Sequence, residues 1–155
     1  MGRGKELLID EWFYFHFAEE DKWQKAAKLF IQIFEVCDKI ILKRGTPIDQ
    51  KFYELVEKSV LYPPKERLGI KALLRLFVQN SNKISWIEDE IELDKIVESE
   101  LHKNDLYLVK MCYQSKDKIF VTTDNRLAEP MNKHKEYLGI TVYMANDFMN
   151  LYPNI

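Results

Sequence analysis

Lys118-Ile119-Phe120-Val121-Thr122-Thr123-Asp124 is an uninterrupted apolar run closed by two hydroxyls and an acid, and Lys118–Thr122 is the clearest strand of the chain. Working back toward the N-terminus, Asp105–Gln114 has helical spacing and begins at Asn104 or Asp105. Further back, Glu6–Asp10 is a second apolar run that stops abruptly at the acids Asp10 and Glu11, which reads as a buried strand with Asp10 at its carboxyl end. Lys39–Lys43 is a third, ended by a turn at Arg44-Gly45-Thr46-Pro47. Gly139–Met144 supplies the last strand, and Asp147–Tyr152 a short terminal helix.

The segments between these runs carry helical periodicity. Asp21 is placed to cap a helix running to about Val36, with Trp23, Ala27, Phe30, Ile31 and Phe34 on one face. Ile48, Phe52, Leu55, Val56 and Val60 mark another from about Ile48 to Leu61, after which Pro63-Pro64 breaks the chain and a helix follows from about Lys65 to Val78. Trp12–Phe17 is an aromatic stretch expected against the core, Asn80–Ser85 a polar loop, and Glu88–Glu100 a solvated acidic segment with a short helix. Arg126–Tyr137 reads as helix and loop, with Pro130 limiting the helix. Strands separated by helices of this length imply parallel pairing under helices on both faces. The expectation is one α/β domain over residues 1–155, a three-layer α/β/α sandwich around a mainly parallel sheet of four to five strands.

Composition agrees. At 155 residues, 46% hydrophobic and 31% charged, the chain suits one globular core. No apolar run reaches the length of a membrane span, and the apolar residues after the basic Met1–Lys5 are cut short by Asp10 and Glu11, unlike a secretory leader. A cytoplasmic location without membrane contact is expected. Cys37 and Cys112 have no partner at metal or disulfide spacing, and both are expected as buried free thiols. The net charge of −2 means that any nucleic acid must be met by a local patch.

In an open parallel sheet, ligands gather beyond the carboxyl ends of the strands. Asp10 and Asp124 both lie at that edge, and Asp105 opens the helix that leads into the second of these strands. Three acids brought together repel one another unless a cation joins them. Mg²⁺ or Mn²⁺ takes oxygen ligands and keeps waters for a phosphate substrate, which outlines a metal-dependent phosphodiesterase. Each acid also has a plainer role: Asp10 as a turn cap, Asp105 as a helix N-terminal acid, Asp124 as a turn former with Asn125.

On these pieces the sequence resembles the PIN-domain family: Leu-Leu-Ile-Asp at 7–10, Asp-Leu-Tyr-Leu-Val at 105–109, Lys-Ile-Phe-Val-Thr-Thr-Asp-Asn-Arg-Leu at 118–127 and Gly-Ile-Thr-Val-Tyr-Met-Ala-Asn-Asp-Phe at 139–148. The resemblance implies an Mg²⁺- or Mn²⁺-dependent endoribonuclease, with RNA as substrate and, as in many members, a toxin paired with an antitoxin protein; a homodimer is the family's common state. It assigns Asp10, Asp105 and Asp124 to the metal and Thr122 or Thr123 to a supporting hydroxyl. The family places a further acid early in the helix after the second strand, where this chain has Lys51; Glu54 one turn later, or Asp49, is the alternative. Glu54 is then the residue expected to orient or deprotonate the attacking water. Without such an acid, the chain reads as a catalytically silent RNA- or protein-binding module.

Other features are less specific. Arg67, Lys71 and Arg75 recur every four residues, a stripe that either guides a phosphate backbone or is simply solvated. Among the histidines, His102 alone lies within a turn of a candidate acid, while Asp147 approaches from the last strand. Five glycines without G-x-G-x-x-G or P-loop spacing argue against a nucleotide-binding enzyme. Glu11-Trp12 after Asp10 lacks the second aspartate of a haloacid-dehalogenase-type phosphatase, and Lys43-Arg44 lacks the phosphate-accepting aspartate of a receiver domain.

Overall fold

The apolar runs pair into one sheet. In the computed structural model, which describes residues 4–57 and 67–155, the strands are β1 (Glu6–Ile9), β2 (Lys39–Leu42), β3 (Ile84–Trp86), β4 (Ile119–Thr122) and β5 (Thr141–Met144). Their order is β3-β2-β1-β4-β5, and every neighbouring pair is parallel. Parallel strands need crossover segments, and these are helical: α1 (Trp12–His16), α2 (Trp23–Glu35), α3 (Pro47–Glu57), α4 (Arg67–Gln79), α5 (Lys95–Glu100), α6 (Leu106–Gln114), α7 (Asn125–Lys133), α8 (Lys135–Leu138) and α9 (Ala145–Leu151). The result is a three-layer α/β/α arrangement. The expected end of the second long helix near Leu61, the break at Pro63-Pro64 and the start of the next helix at Lys65 lie outside the described residues.

The central strands carry apolar residues on both faces because helices cover both. Leu7, Leu8, Phe120 and Val121 are fully buried. A cluster of aromatic rings fills one side: Phe13 stands 5.8 Å from Phe30 and 6.1 Å from Phe52, and Phe30 5.5 Å from Phe77, in tilted or edge-on contacts. Two buried polar groups tie distant segments to this core. Lys83 donates to the carbonyls of Ile33 (3.2 Å), Val36 and Asp38 (3.5 Å), closing the end of α2. Asp38 accepts from the Tyr152 hydroxyl at 2.6 Å and from the Lys5 amide at 2.7 Å, joining the final turn to the entry of β1.

The differences from expectation have physical causes. Asn80–Ser85 is not all loop, because Ile84–Trp86 forms the edge strand β3. Three residues show no periodicity of their own, and pairing with Ile40–Leu42 creates the strand. Pro130 sits inside α7 rather than limiting it. The carbonyl left without a donor is that of Arg126, whose side chain is almost fully exposed, so water can serve it. Asp21 is not the cap of α2, which begins after Lys22. Cys37 is exposed, lying just past the α2 terminus rather than within an apolar face, whereas Cys112 is buried. Among the described residues, no helix is long and apolar enough to cross a membrane.

Candidate functional site

The strand order reverses between β1 and β4: the chain builds outward to β2 and β3 on one side and to β5 on the other. This is the switch point where the loops diverge and leave a crevice. The register Ile9↔Val121 and the Asp10 amide, which donates to the Val121 carbonyl at 3.0 Å, carry the ladder to the edge. Asp10 therefore emerges beside Thr122.

Its carboxylate is held from two sides. Thr122 Oγ1, fully buried, donates to Asp10 Oδ2 at 2.7 Å, and the Glu11 amide donates to Oδ1 at 2.6 Å. Thr122 Oγ1 also accepts from the Asp124 amide at 3.0 Å, so this hydroxyl fixes the geometry of both aspartates. Of the two threonines proposed as support, Thr122 has that contact, while Thr123 lies in the wall of the adjoining cavities.

Asp10, Glu11 and Asp105 share a cavity of about 360 Å³. Asp105 also lines a second one, of about 180 Å³, with Asp124, Arg126 and His102. The acids are close enough to affect one another. The Asp10 carboxyl is pushed up to about 6, chiefly by burial, with the bonds from Thr122 and the Glu11 amide opposing the rise and the charges of Glu11 and Asp105 adding to it. Asp105 is also raised, first by burial and then by Asp124 and Glu11, with His102 and Arg126 pulling the other way. Asp105 stands at the N-cap of α6, where its charge meets the helix dipole, and makes no capping bond to its own helix. Asp124 does cap α7, accepting from the Arg126 amide at 2.9 Å with Oδ1.

Glu11 belongs to this cluster although no pattern singled it out. Lys51 donates to Glu11 Oε1 and the Tyr107 hydroxyl to Oε2. The Tyr107 hydroxyl is strongly held in its protonated form, by burial and then by that bond. Lys51, standing where an acid was sought, thus brings positive charge into the acidic rim. Glu54 does not line the cavity of Asp10, and its carboxylate accepts from Tyr14 at 2.7 Å. Asp49 is buried and accepts from the Gly45 amide at 3.1 Å, with its other oxygen unpartnered among the described residues. Asp147 faces a different cavity, with Val142 and Leu151. Lys71 and Arg75 are absent from the walls of both acid-lined cavities, and the Arg67 side chain lies outside the described residues.

The donors suit a hard divalent cation in kind, being carboxylates whose mutual repulsion and burial raise their affinity for any positive charge. Among the described residues, however, no group of three His, Cys, Asp or Glu side chains stands ready to hold an ion. The fit is of donor type, with water needed to complete a coordination shell.

No family model matches the chain. No curated protein sequence matches it either. Among solved structures, the chain is similar to a domain of a functionally unknown protein from Methanocaldococcus jannaschii DSM 2661, at 13% identity over 91% of each chain with a TM-score of 0.47. That likeness is too remote to bear on function.

Proposed function

We propose that the chain is a cytoplasmic, metal-dependent endoribonuclease of the PIN-domain type, hydrolysing RNA at the edge where β1 and β4 end. The observation that supports it most is Asp10: a carboxylate buried at the switch point, raised to about 6 and surrounded by further acids. Such a site is short of positive charge. Asp10, Asp105 and Asp124 would hold Mg²⁺ or Mn²⁺, directly or through water. When bound, the ion supplies Lewis acidity toward the phosphate and an ionised water at neutral pH.

The protein's own contribution is positional. Thr122 and the Glu11 amide fix both oxygens of Asp10, and Thr122 sets the turn that carries Asp124. Lys51 and Tyr107 fix Glu11, which lines the cavity and so takes the water-orienting role expected of Glu54. The antitoxin partner and the homodimer remain part of this proposal through the resemblance.

Manganese titration with a structured RNA tests it. Cleavage should depend on the metal, and Asp10→Asn and Asp124→Asn should abolish it while far-ultraviolet dichroism is retained. Variants that cut like the wild type would place the chemistry elsewhere. The pairing of Lys51 with Glu11 favours a second reading, a metal-independent RNA-binding module. RNA held equally well in EDTA and in Mn²⁺, and left intact in both, would decide for that one.

A further inference from the structure

The acidic segment that links β3 to α5 meets positive charge. It runs without regular structure, and at Asp89–Ile91 it walls a cavity of about 240 Å³ together with α6 and the turn before α3. Three lysines, Lys43, Lys103 and Lys110, line the same cavity. Ammonium groups gathered around one small space repel one another unless an anion joins them. This cavity and that of Asp10 and Glu11 have no described wall residue in common.

The lysines are unequally served. Lys43, with a side chain only 15% exposed, donates to the Asp89 carbonyl at 2.9 Å and to Glu90 Oε1 at 2.7 Å. The Glu90 side chain is 85% exposed, so it reaches in from solvent and can return there at little cost. Lys110 has Glu98 at 3.7 Å, beyond hydrogen-bond reach. Lys103 has no bond or ion pair among the described residues. Asp89 takes part through its main chain, since its carbonyl also accepts from Gln114 at 3.2 Å. Lys43 and Gln114 thus pin the segment through that carbonyl, a task that leaves Lys103 and Lys110 unused.

We infer that this cavity binds a compact phosphate-type anion, inorganic phosphate or pyrophosphate, and that Glu90 is its built-in competitor. The Glu90 carboxylate holds the place on Lys43 that a phosphoryl oxygen takes, and it leaves when the anion enters. A phosphate brings three strong acceptor oxygens, enough to engage Lys103 and Lys110 as well, which one carboxylate does not. The volume sets the size of the ligand, for it falls below the roughly 300 Å³ at which pockets begin to take drug-sized molecules. The site requires neither a metal nor RNA, so it stands apart from the nuclease reading.

The test is a heteronuclear NMR titration of the isotope-labelled protein with inorganic phosphate and with pyrophosphate, in EDTA and at an ionic strength held constant with NaCl. The shifts should saturate and centre on the amides of Lys43, Lys103 and Lys110. Glu90→Gln should tighten binding about threefold, because the competitor loses its charge. Lys43→Met should weaken it about tenfold. Lys103→Met, at an exposed position with no bond to lose, should weaken it about threefold while the folded spectrum is retained. Shifts that do not saturate, or an affinity that neither Glu90→Gln nor Lys103→Met moves, would overturn the inference. So would an oligouridylate that displaces pyrophosphate from these amides at equal phosphate concentration, since the cavity would then be a nucleic-acid contact.

Discussion

Replacing Asp10 with Asn removes a charge and almost no volume, and in the metal-free protein it should be stabilising. Burial, set against the bonds from Thr122 and Glu11 and helped by the nearby acids, moves the carboxyl from 3.8 to about 6, so the ionised form carries a net penalty of about 3 kcal/mol in the folded state. Because the folded-state value is raised, this penalty is fully developed above about 6 and disappears as pH falls below 3.8. Asn keeps an acceptor for the Glu11 amide but returns a donor to Thr122 Oγ1, which loses the carboxylate it now bonds. That mismatch offsets about 1 kcal/mol. The net gain at pH 8 is about 2 kcal/mol, or about 4–8 °C in Tm for a domain of this size. Thermal melts of both proteins in EDTA, from pH 8 to pH 4, provide the assay, with the variant's advantage shrinking as the solution is acidified. In millimolar Mn²⁺ the order should move the other way, because binding to the native state stabilises only a protein that keeps its ligand. Identical melts at pH 8 would refute the account of Asp10 as a penalised buried charge. Equal stabilisation of both proteins by Mn²⁺ would remove it from the metal.

Mn²⁺ affinity, measured by calorimetry, should be flat above the Asp10 value of about 6 and fall about tenfold per pH unit below it, since the proton must leave first. Lys51→Met strips Glu11 of its counter-charge; urea denaturation without metal should show a loss of about 1–2 kcal/mol, and calorimetry about tenfold tighter Mn²⁺ binding. Lys83→Met leaves the carbonyls of Ile33, Val36 and Asp38 without their buried donor and should lose about 2–4 kcal/mol in the same urea assay. Tyr152→Phe removes one of the two bonds that hold the buried Asp38 and should lose about 1–3 kcal/mol in thermal melts.

What could be read beforehand was what the chain encodes locally. Ile119–Thr122 and Leu7–Ile9 announce themselves because strands buried on both faces need unbroken apolar runs, and the acids that end them fall at the sheet edge by topology alone. β3 escaped notice because its identity comes from hydrogen bonds to a partner more than forty residues away. Glu11 escaped for a similar reason. Adjacency to Asp10 was visible, but its engagement by Lys51 and Tyr107 depends on how α3 and α6 pack around β1. Glu54 was sought by helical periodicity, which gives the face of a helix but not how far that face stands from the next element. Trp12–Phe17 was rightly placed against the core as a group, yet composition could not tell which of its rings turns outward. That is settled by the helix that Trp12–His16 form.

A helix of five residues cannot hold its own shape, and α1 depends on an outside fastening. Trp12 provides one: its indole nitrogen donates to the Val121 carbonyl at 3.1 Å, on the strand that leads to Asp124. The exposed ring of Phe15 and the acids are thereby mounted on one frame. Their spacing is inherited from the sheet, so a substitution at Trp12 would unsettle both at once, while exposed positions elsewhere can drift without disturbing the alignment.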